Sequence, residues 1–457
     1  MAVNPASAKK LRASLEETVV APLFDELSGA GSRDDALPEV VLRHRRERAY
    51  NRLLDALASR GSATVPPELQ REIRNLVRDW AEASFMDGLQ AVETFEIRCA
   101  EEHDLVVARE SGDPDRILEA LEKEHRNRVK KQFGELELRG IQTTHRVWQK
   151  LDEVYVPLHF EPVIEEKFEG IDGEVITLLA RHRLGLTDIL TKNHVLLVGA
   201  PGSGKSTLVS YLATRAATGQ LAEDLGWKES PLPFVLTVRA LRKMALTPKA
   251  IAEHVGCEIA LVSRALEQRS MLLLVDGLDE APEEARTRLV ESLQRFAERH
   301  PGSRLIVTSR PAGPPGEIEG RLQELNAFRL VDLTGSEVDE YIDKWCLAAE
   351  RSIRRDLAEA GKEAEKAAKD LKWRLSQSHS VQKIAVNPLL VTILCVVHRF
   401  LGRTIPEHRV TLYEKCTDAL LYEWDRAKFE EGAAIGYLDA PLKRRLLAGV
   451  ARKIHQE

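Results

Sequence analysis

Two kinds of hydrophobic spacing divide the chain. From residue 7 to about 150, apolar residues recur at the helical interval, as at Leu11, Leu15 and Val19, with almost none of the alternation typical of strands. From His194 onward, apolar runs of strand length alternate with amphipathic helical stretches. The predicted strands are 195–198, 234–238, 271–275 and 305–308. This alternation predicts a parallel sheet with helices on both faces, and helices return after Arg329.

Local signals refine this division. Asp113 followed by Pro114 predicts an N-cap with proline in the first turn of a helix. Residues 151–190 have a mixed pattern and are interpreted as a connector into the sheet. Helices are predicted at 358–372, 387–400, 410–424 and 442–454.

A glycine-rich loop joins the first predicted strand to the next helix and matches the pattern G-x-x-x-x-G-K-[ST] at every fixed position. The backbone amides of such a loop and the following helix N-terminus bind phosphate oxygens. Lys205 is predicted to reach the β- and γ-phosphates, and the Ser206 hydroxyl to bind Mg²⁺. The predicted nucleotide-binding residues of the loop are Gly199, Ala200, Pro201, Gly202, Ser203, Gly204, Lys205, Ser206 and Thr207.

Acidic residues follow the strand at 271–275. Asp276 is predicted at its carboxyl edge, where open α/β sheets bind ligands, and is assigned to the Mg²⁺ hydration shell. Asp279 and Glu280 follow at the head of the next helix, and one of them is predicted to orient or deprotonate the attacking water. The alternative for these two acids is that they only cap the helix.

Arg310 follows the predicted strand at 305–308. A guanidinium at this edge can bind a terminal phosphate in a bidentate manner, so Arg310 is predicted to sense the triphosphate. A surface arginine before Pro311 is the alternative.

Composition narrows the class of protein. The formal charge of −6 over 457 residues argues against a globally basic nucleic-acid coat, although the basic string 43–48 leaves nucleic-acid binding open. Five widely spaced cysteines without a C-x-x-C pair indicate reduced thiols. The sequence predicts neither a secretory signal nor a transmembrane segment, and a cytoplasmic protein is therefore expected.

These motifs together resemble those of the NACHT NTPases, the STAND-class ATPases of animal inflammasome receptors and bacterial anti-phage proteins. The resemblance rests on LLLVDGLDE at 272–280, TSRP at 308–311, NPLLVTIL at 387–394 and LYE at 412–414, and it covers roughly residues 150–457.

The resemblance implies a switch that uses ATP, ADP and Mg²⁺ and forms homo-oligomers, with a phage component as a candidate trigger. It implies that Pro388 lies near adenine, with a proline that only starts a helix after Asn387 as the alternative. It also implies a histidine that contacts the ADP β-phosphate, for which His398, His408 and His455 remain open. The expected parts are a helical adaptor or effector domain (1–150), a nucleotide-binding α/β domain (151–330), a helical lid (331–405) and the start of a winged-helix domain (406–457).

Two other functions stay open at this point: an AAA+-type remodelling motor, and a scaffold or regulator that binds nucleotide without hydrolysing it. Relatives usually continue into a C-terminal sensor region, so the chain is expected to be either a truncation or a minimal form.

Overall fold

The computed structural model describes residues 104–137 except 106 and 110, then 148–163, 166–169, 175–178, 183–241, 245–311, 322, 324–351, 354, 356–400 and 440–454. The chain divides into two compact units, Met1–His125 and Arg126–Glu457. The predicted helices before residue 104, the basic string 43–48 and the predicted helix at 410–424 lie outside the described residues.

Helix α1 (Pro114–Phe133) begins where the sequence predicts a helix start. The Asp113 carboxylate accepts a hydrogen bond from the Asp115 amide at 3.0 Å, which confirms Asp113 as the capping residue.

The prediction of helix without strands up to about residue 150 is wrong over its last part. Strand β1 (Glu135–Glu137) pairs antiparallel with β2 (Trp148–Lys150). The two strands have three residues each, which is too few for a period-2 pattern to stand out from the helical background.

The other described elements share the second unit. In chain order they are α2 (Leu151–Val154), β3 (Phe160–Pro162), β4 (Glu166–Glu169), β5 (Val175–Leu178), α3 (Leu186–Ile189), β6 (His194–Val198), α4 (Lys205–Ala217), α5 (Gln220–Leu225), β7 (Leu232–Thr237), α6 (Pro248–Val255), α7 (Ile259–Glu267), β8 (Met271–Asp276), α8 (Glu283–Arg299), β9 (Arg304–Ser309), β10 (Asn326–Leu330), α9 (Gly335–Arg351), α10 (Leu357–Gln377), α11 (His379–Gln382), α12 (Pro388–Phe400) and α13 (Ala440–Ile454). Short 3₁₀ turns follow β7 (Val238–Ala240) and β8 (Leu278–Glu280).

A six-stranded sheet organises this unit, in the order β3-β10-β6-β9-β8-β7. The four predicted strands are confirmed to within two residues as β6, β7, β8 and β9, and they run parallel together with β10. The expectation of a purely parallel sheet is corrected by β3, which pairs antiparallel with β10 at the edge. Neither β3 nor β10 was predicted, because β3 has three residues and β10 buries only Phe328 and Leu330.

Helices cover both faces of the sheet, as predicted. On β6, Val195 and Leu197 pack in one apolar cluster with α4, while Leu196 and Val198 pack in another with α6, α7 and α8. Burying each such side chain stabilises the fold by about 1.5–3 kcal/mol. A slip of one residue would expose a whole face, so this burial fixes the register and therefore where each strand ends.

The helical lid, defined here as α9, α10 and α12, packs in the same cluster as α4 through buried side chains such as Trp345, Leu371 and Leu394. Inside the lid, Glu350 pairs with Arg399, and the buried His398 lies 2.7 Å from the Asp370 carboxylate. His398 is thus placed within the lid, near the end of α12 and about 15 Å along the helix axis from its first turn. His408 and His455 lie outside the described residues.

The edge strand β7 is held to α6 by a titratable group. The Thr237 amide donates to His254 Nε2 at 3.3 Å, a bond that requires neutral imidazole. Burial holds the pKa of His254 below its usual value of 6.5. The folded state therefore binds fewer protons than the unfolded chain as pH falls below that value.

We expect this group to make stability decrease as pH falls from about 6.5 toward the lowered pKa of the folded state. In His254→Gln, whose amide oxygen accepts the same bond without titrating, the stability loss should be smaller, by on the order of 1 kcal/mol. Urea midpoints at pH 7.5 and 5.5 measure the difference. Parallel pH dependence in the two proteins would contradict this role for His254.

Candidate functional site

The glycine-rich loop lies between β6 and α4, as predicted. It leaves the sheet after Val198, and α4 begins at Lys205 with Gly204 as its N-cap. Gly202 has a φ of +77°, a left-handed conformation that glycine adopts at little cost. The loop therefore delivers the first turn of α4 to the carboxyl edge of the sheet, where Ser206 is exposed and Thr207 half-buried.

Lys205 folds back onto this loop. Its ammonium donates to the carbonyl oxygens of Gly199 at 2.6 Å and Ala200 at 2.9 Å. Burial lowers the pKa of Lys205; Asp279 acts against this shift, Arg310 adds to it and Asp276 opposes it. The structure thus places four charged groups that the sequence assigned to one site within electrostatic range of one another.

Asp276 is held by a residue that the sequence did not single out. The Thr308 hydroxyl donates to Asp276 Oδ1 at 2.6 Å and accepts from the Gly277 amide at 3.0 Å. Thr308 is fully buried on the neighbouring strand β9. Its hydroxyl fixes the orientation of the carboxylate and leaves the second oxygen for other ligands.

Asp279 and Arg310, predicted separately, bind each other. The Arg310 amide donates to Asp279 Oδ1 at 2.8 Å, and Arg310 Nε lies 3.3 Å from Oδ2. The Asp279 side chain is 13% exposed and that of Arg310 is 52% exposed. The carboxylate is therefore enclosed, while the guanidinium remains accessible.

The Glu280 side chain lies against the turn that contains Gly277. A Cβ added to Gly277, which has a φ of +85°, would lie 3.1 Å from Glu280 Cδ and 3.3 Å from Oε2. The Glu280 carboxylate thus folds back over the turn that follows Asp276. Gly277 combines a left-handed backbone with this close approach of the Glu280 side chain.

The lid reaches the loop through the first turn of α12. Gly204 lies close to Leu158 and Pro388, since a Cβ added to it would lie 3.2 Å from Leu158 Cδ1 and 3.9 Å from Pro388 Cγ. Asn387 caps α12 and also donates to the Pro201 carbonyl oxygen at 3.1 Å. Pro388 is therefore both the first residue of a helix and a neighbour of the loop.

These residues fit a nucleotide with Mg²⁺ by the chemistry of their donors. The exposed Ser206 hydroxyl and the oriented Asp276 carboxylate are hard oxygen ligands of the kind that Mg²⁺ prefers. The loop amides, the α4 N-terminus and Lys205 supply positive charge for phosphates. Among the described residues, no group of three or more His, Cys, Asp or Glu forms a separate metal site.

Sequence reasoning missed Thr308, Asn387 and Leu158. Thr308 lies in the quoted TSRP motif and Asn387 in the quoted NPL motif, so both carried a signal that was interpreted for a neighbouring residue. Leu158 carried no signal of its own.

Residues 193–349 match the NACHT domain family. No curated protein matches the chain.

Similar solved structures include two RuvB variants of Thermotoga maritima and an ORC2 protein of Aeropyrum pernix solved as ADPNP–ADP complexes. One RuvB variant is 15% identical, with 50% of this chain and 68% of that chain covered and a TM-score of 0.24. The other is 18% identical, with 50% and 69% covered and a TM-score of 0.25. The ORC2 protein is 14% identical, with 58% and 82% covered and a TM-score of 0.25.

In the part of the chain that the structure describes, no helix has the length and apolarity needed to cross a bilayer. Cys257, Cys346 and Cys395 are free thiols, as the sequence predicts.

We expect the Thr308 hydroxyl to stabilise the site. Thr308→Val keeps the shape of the side chain but removes both hydrogen bonds, and it should lower the free energy of unfolding by about 1–3 kcal/mol. Thr308→Ser retains the hydroxyl and is the matched control, expected to lose less. Urea titration measures both, and equal losses would show that the hydroxyl contributes nothing.

Proposed function

Because residues 193–349 form a NACHT domain, we propose that the chain is a nucleotide-controlled switch that binds ATP or ADP with Mg²⁺ and hydrolyses ATP slowly. The observation that carries this proposal is the convergence of Lys205, Asp276, Asp279 and Arg310 at the loop between β6 and α4.

The loop binds the phosphates in this proposal. Lys205 exchanges its bonds to the Gly199 and Ala200 carbonyls for phosphate oxygens, which accept charge-assisted hydrogen bonds. Ser206 and Asp276 hold Mg²⁺, and the bound ion neutralises charge on the β- and γ-phosphates. Thr308 keeps Asp276 in position.

The two acids after Asp276 have different roles. Asp279 already binds Arg310 through both carboxylate oxygens, so it is engaged in holding the sensor arginine. Glu280 is exposed and folds over the turn after Asp276, which makes it the group that accepts a proton from water. Arg310 reports the terminal phosphate, because its guanidinium is accessible.

The lid covers the base in this proposal. Leu158 and Pro388 both lie next to Gly204 and offer apolar surface beside the loop. The lid therefore contacts both the loop and the region expected to hold adenine, so lid position depends on the nucleotide.

Wider function rests on the resemblance of the motifs to NACHT signalling ATPases. We infer a cytoplasmic protein whose switch controls homo-oligomerisation in innate immune or anti-phage signalling. A bound-nucleotide assay, with the mass of the purified protein measured in ATP and in ADP, tests this part.

Lys205→Ala should weaken binding of a fluorescent ATP analogue about 10- to 100-fold, because it removes a charge-assisted contact worth about 1.5–3 kcal/mol. Lys192→Ala removes an exposed lysine just before β6, at the opposite edge of the sheet, and is the matched control. Equal dissociation constants for wild type and Lys205→Ala would refute the site.

Glu280→Gln should lower the turnover rate about 10²- to 10⁴-fold, the usual contribution of a general base, with ATP affinity retained. Asp279→Asn is the comparison and should keep more turnover, since it disturbs Arg310 and not the base. Steady-state ATPase rates and native mass in ATP measure this. A deeper loss in Asp279→Asn would reverse the two roles, whereas turnover-dependent assembly would favour a motor over a switch.

A further inference from the structure

We propose that Asn387 is a positioning residue whose side-chain amide ties the lid to the phosphate loop and thereby slows nucleotide release. This inference rests on the proposed nucleotide site. It assigns a role to a residue that does not itself need to touch the nucleotide.

One end of the Asn387 amide belongs to the lid. Its Oδ1 accepts from the Leu389 amide at 3.1 Å and the Leu390 amide at 3.4 Å, which are the first free donors of α12. The backbone amide of Asn387 donates to the Ile384 carbonyl oxygen at 3.4 Å, and the Val386 carbonyl oxygen accepts from the backbone amide of Leu333 at 2.9 Å. The backbone on both sides of the cap is thus fixed within the second unit.

The other end of the amide belongs to the loop. Asn387 Nδ2 donates to the Pro201 carbonyl oxygen at 3.1 Å. Beside it, the Leu389 amide shares its hydrogen between Asn387 Oδ1 at 3.1 Å and the Gly202 carbonyl oxygen at 3.2 Å. Two adjacent carbonyls of the loop are therefore bound by two adjacent groups of the lid.

The approach of lid and loop is too close for a side chain between them. A Cβ added to Gly202 would lie 2.8 Å from Asn387 Oδ1 and 2.9 Å from Leu389 Cβ. Gly202 thus allows both the left-handed turn of the loop and the close contact with the first turn of α12.

This arrangement couples two events. Pro201 and Gly202 belong to the loop proposed to hold the phosphates, so the lid is bonded to the same segment that would contact the nucleotide. When the first turn of α12 moves away, both bonds break together. Release of nucleotide with lid opening therefore has to overcome the Asn387 bond, whereas capping alone would leave release unaffected.

Two substitutions distinguish the capping role of Asn387 from its hydrogen bond to the loop. Asn387→Ser keeps a neutral capping oxygen but has no amide to reach Pro201, whereas Asn387→Ala loses both functions. Asn326→Ser is the matched control, because Asn326 Nδ2 also donates to a backbone carbonyl, that of His194 at 3.1 Å, at the amino edge of the sheet. The probe is mant-ADP in magnesium buffer, released from the full chain by chase with excess ADP.

We expect mant-ADP to dissociate about 2- to 10-fold faster from Asn387→Ser and from Asn387→Ala, the range that loss of one neutral hydrogen bond produces. Only Asn387→Ala should also unfold at a lower temperature. Amide hydrogen exchange in residues 199–207 of the ADP-bound protein should increase in Asn387→Ser, which a purely capping role would not change.

Two outcomes would overturn the inference. If Asn387→Ser releases mant-ADP at the rate of wild type and of Asn326→Ser, Asn387 is only a cap. If Asn387→Ser lowers the melting temperature as much as Asn387→Ala does, its faster release of mant-ADP reflects loss of fold and not loss of the bond to Pro201. Failure of wild type itself to bind mant-ADP would instead refute the proposed function, so the two failures are distinguishable.

Discussion

Residues 308–310 hold the whole site together, because they bind both the phosphate loop and the acidic segment after β8. The Thr308 hydroxyl binds the Asp276 carboxylate, the Ser309 carbonyl oxygen accepts from the Gly199 amide at 3.1 Å, and Arg310 binds Asp279. Strand β9 lies between β6 and β8 in the sheet. The order of the strands therefore sets the distance between the phosphate loop and the acids, and a change in register at β9 would separate them.

The chemical parts of this site were predictable, but their connections were not. A loop of the G-x-x-x-x-G-K-[ST] type and an acid after an apolar strand are local patterns, and the structure places both at the carboxyl edge where they were expected. Thr308 has the local pattern of an ordinary strand residue. Its role depends on which strand lies beside β9 and in which register, and both are set by packing across the two apolar clusters.

The same limit explains the errors in the fold. Strands β1, β2 and β3 have three residues each, so their hydrogen-bonded partners determine them more than their own side chains do. The Asp279–Arg310 pair was missed although both residues were identified, because spacing along the chain does not show that one carboxylate reaches a backbone amide and a guanidinium at once.

The site gathers charges of both signs around the loop between β6 and α4. Lys205 has a lowered pKa, first because of burial, and Arg310 adds a second cation nearby. Asp276 and Asp279 match these two cations in number, so the additional positive charge for a polyphosphate has to come from the loop amides and the N-terminus of α4. The Lys205 bonds to loop carbonyls and the ion pair of the Arg310 guanidinium with Asp279 give both cations a protein partner.

The lid contacts the rest of the unit in two different ways, one on the side of α4 and one at the phosphate loop. At its flank, Lys344 donates to the Tyr155 carbonyl oxygen at 2.9 Å, and the Tyr155 ring stacks on Tyr211 of α4 at 3.7 Å within a continuous buried cluster. At the first turn of α12, the contact is made by two hydrogen bonds, with Leu389 exposed beside them. Opening a region with few buried apolar contacts costs less than separating a packed core. The first turn of α12, where Leu389 is exposed, should therefore open more readily than the packed α9 side.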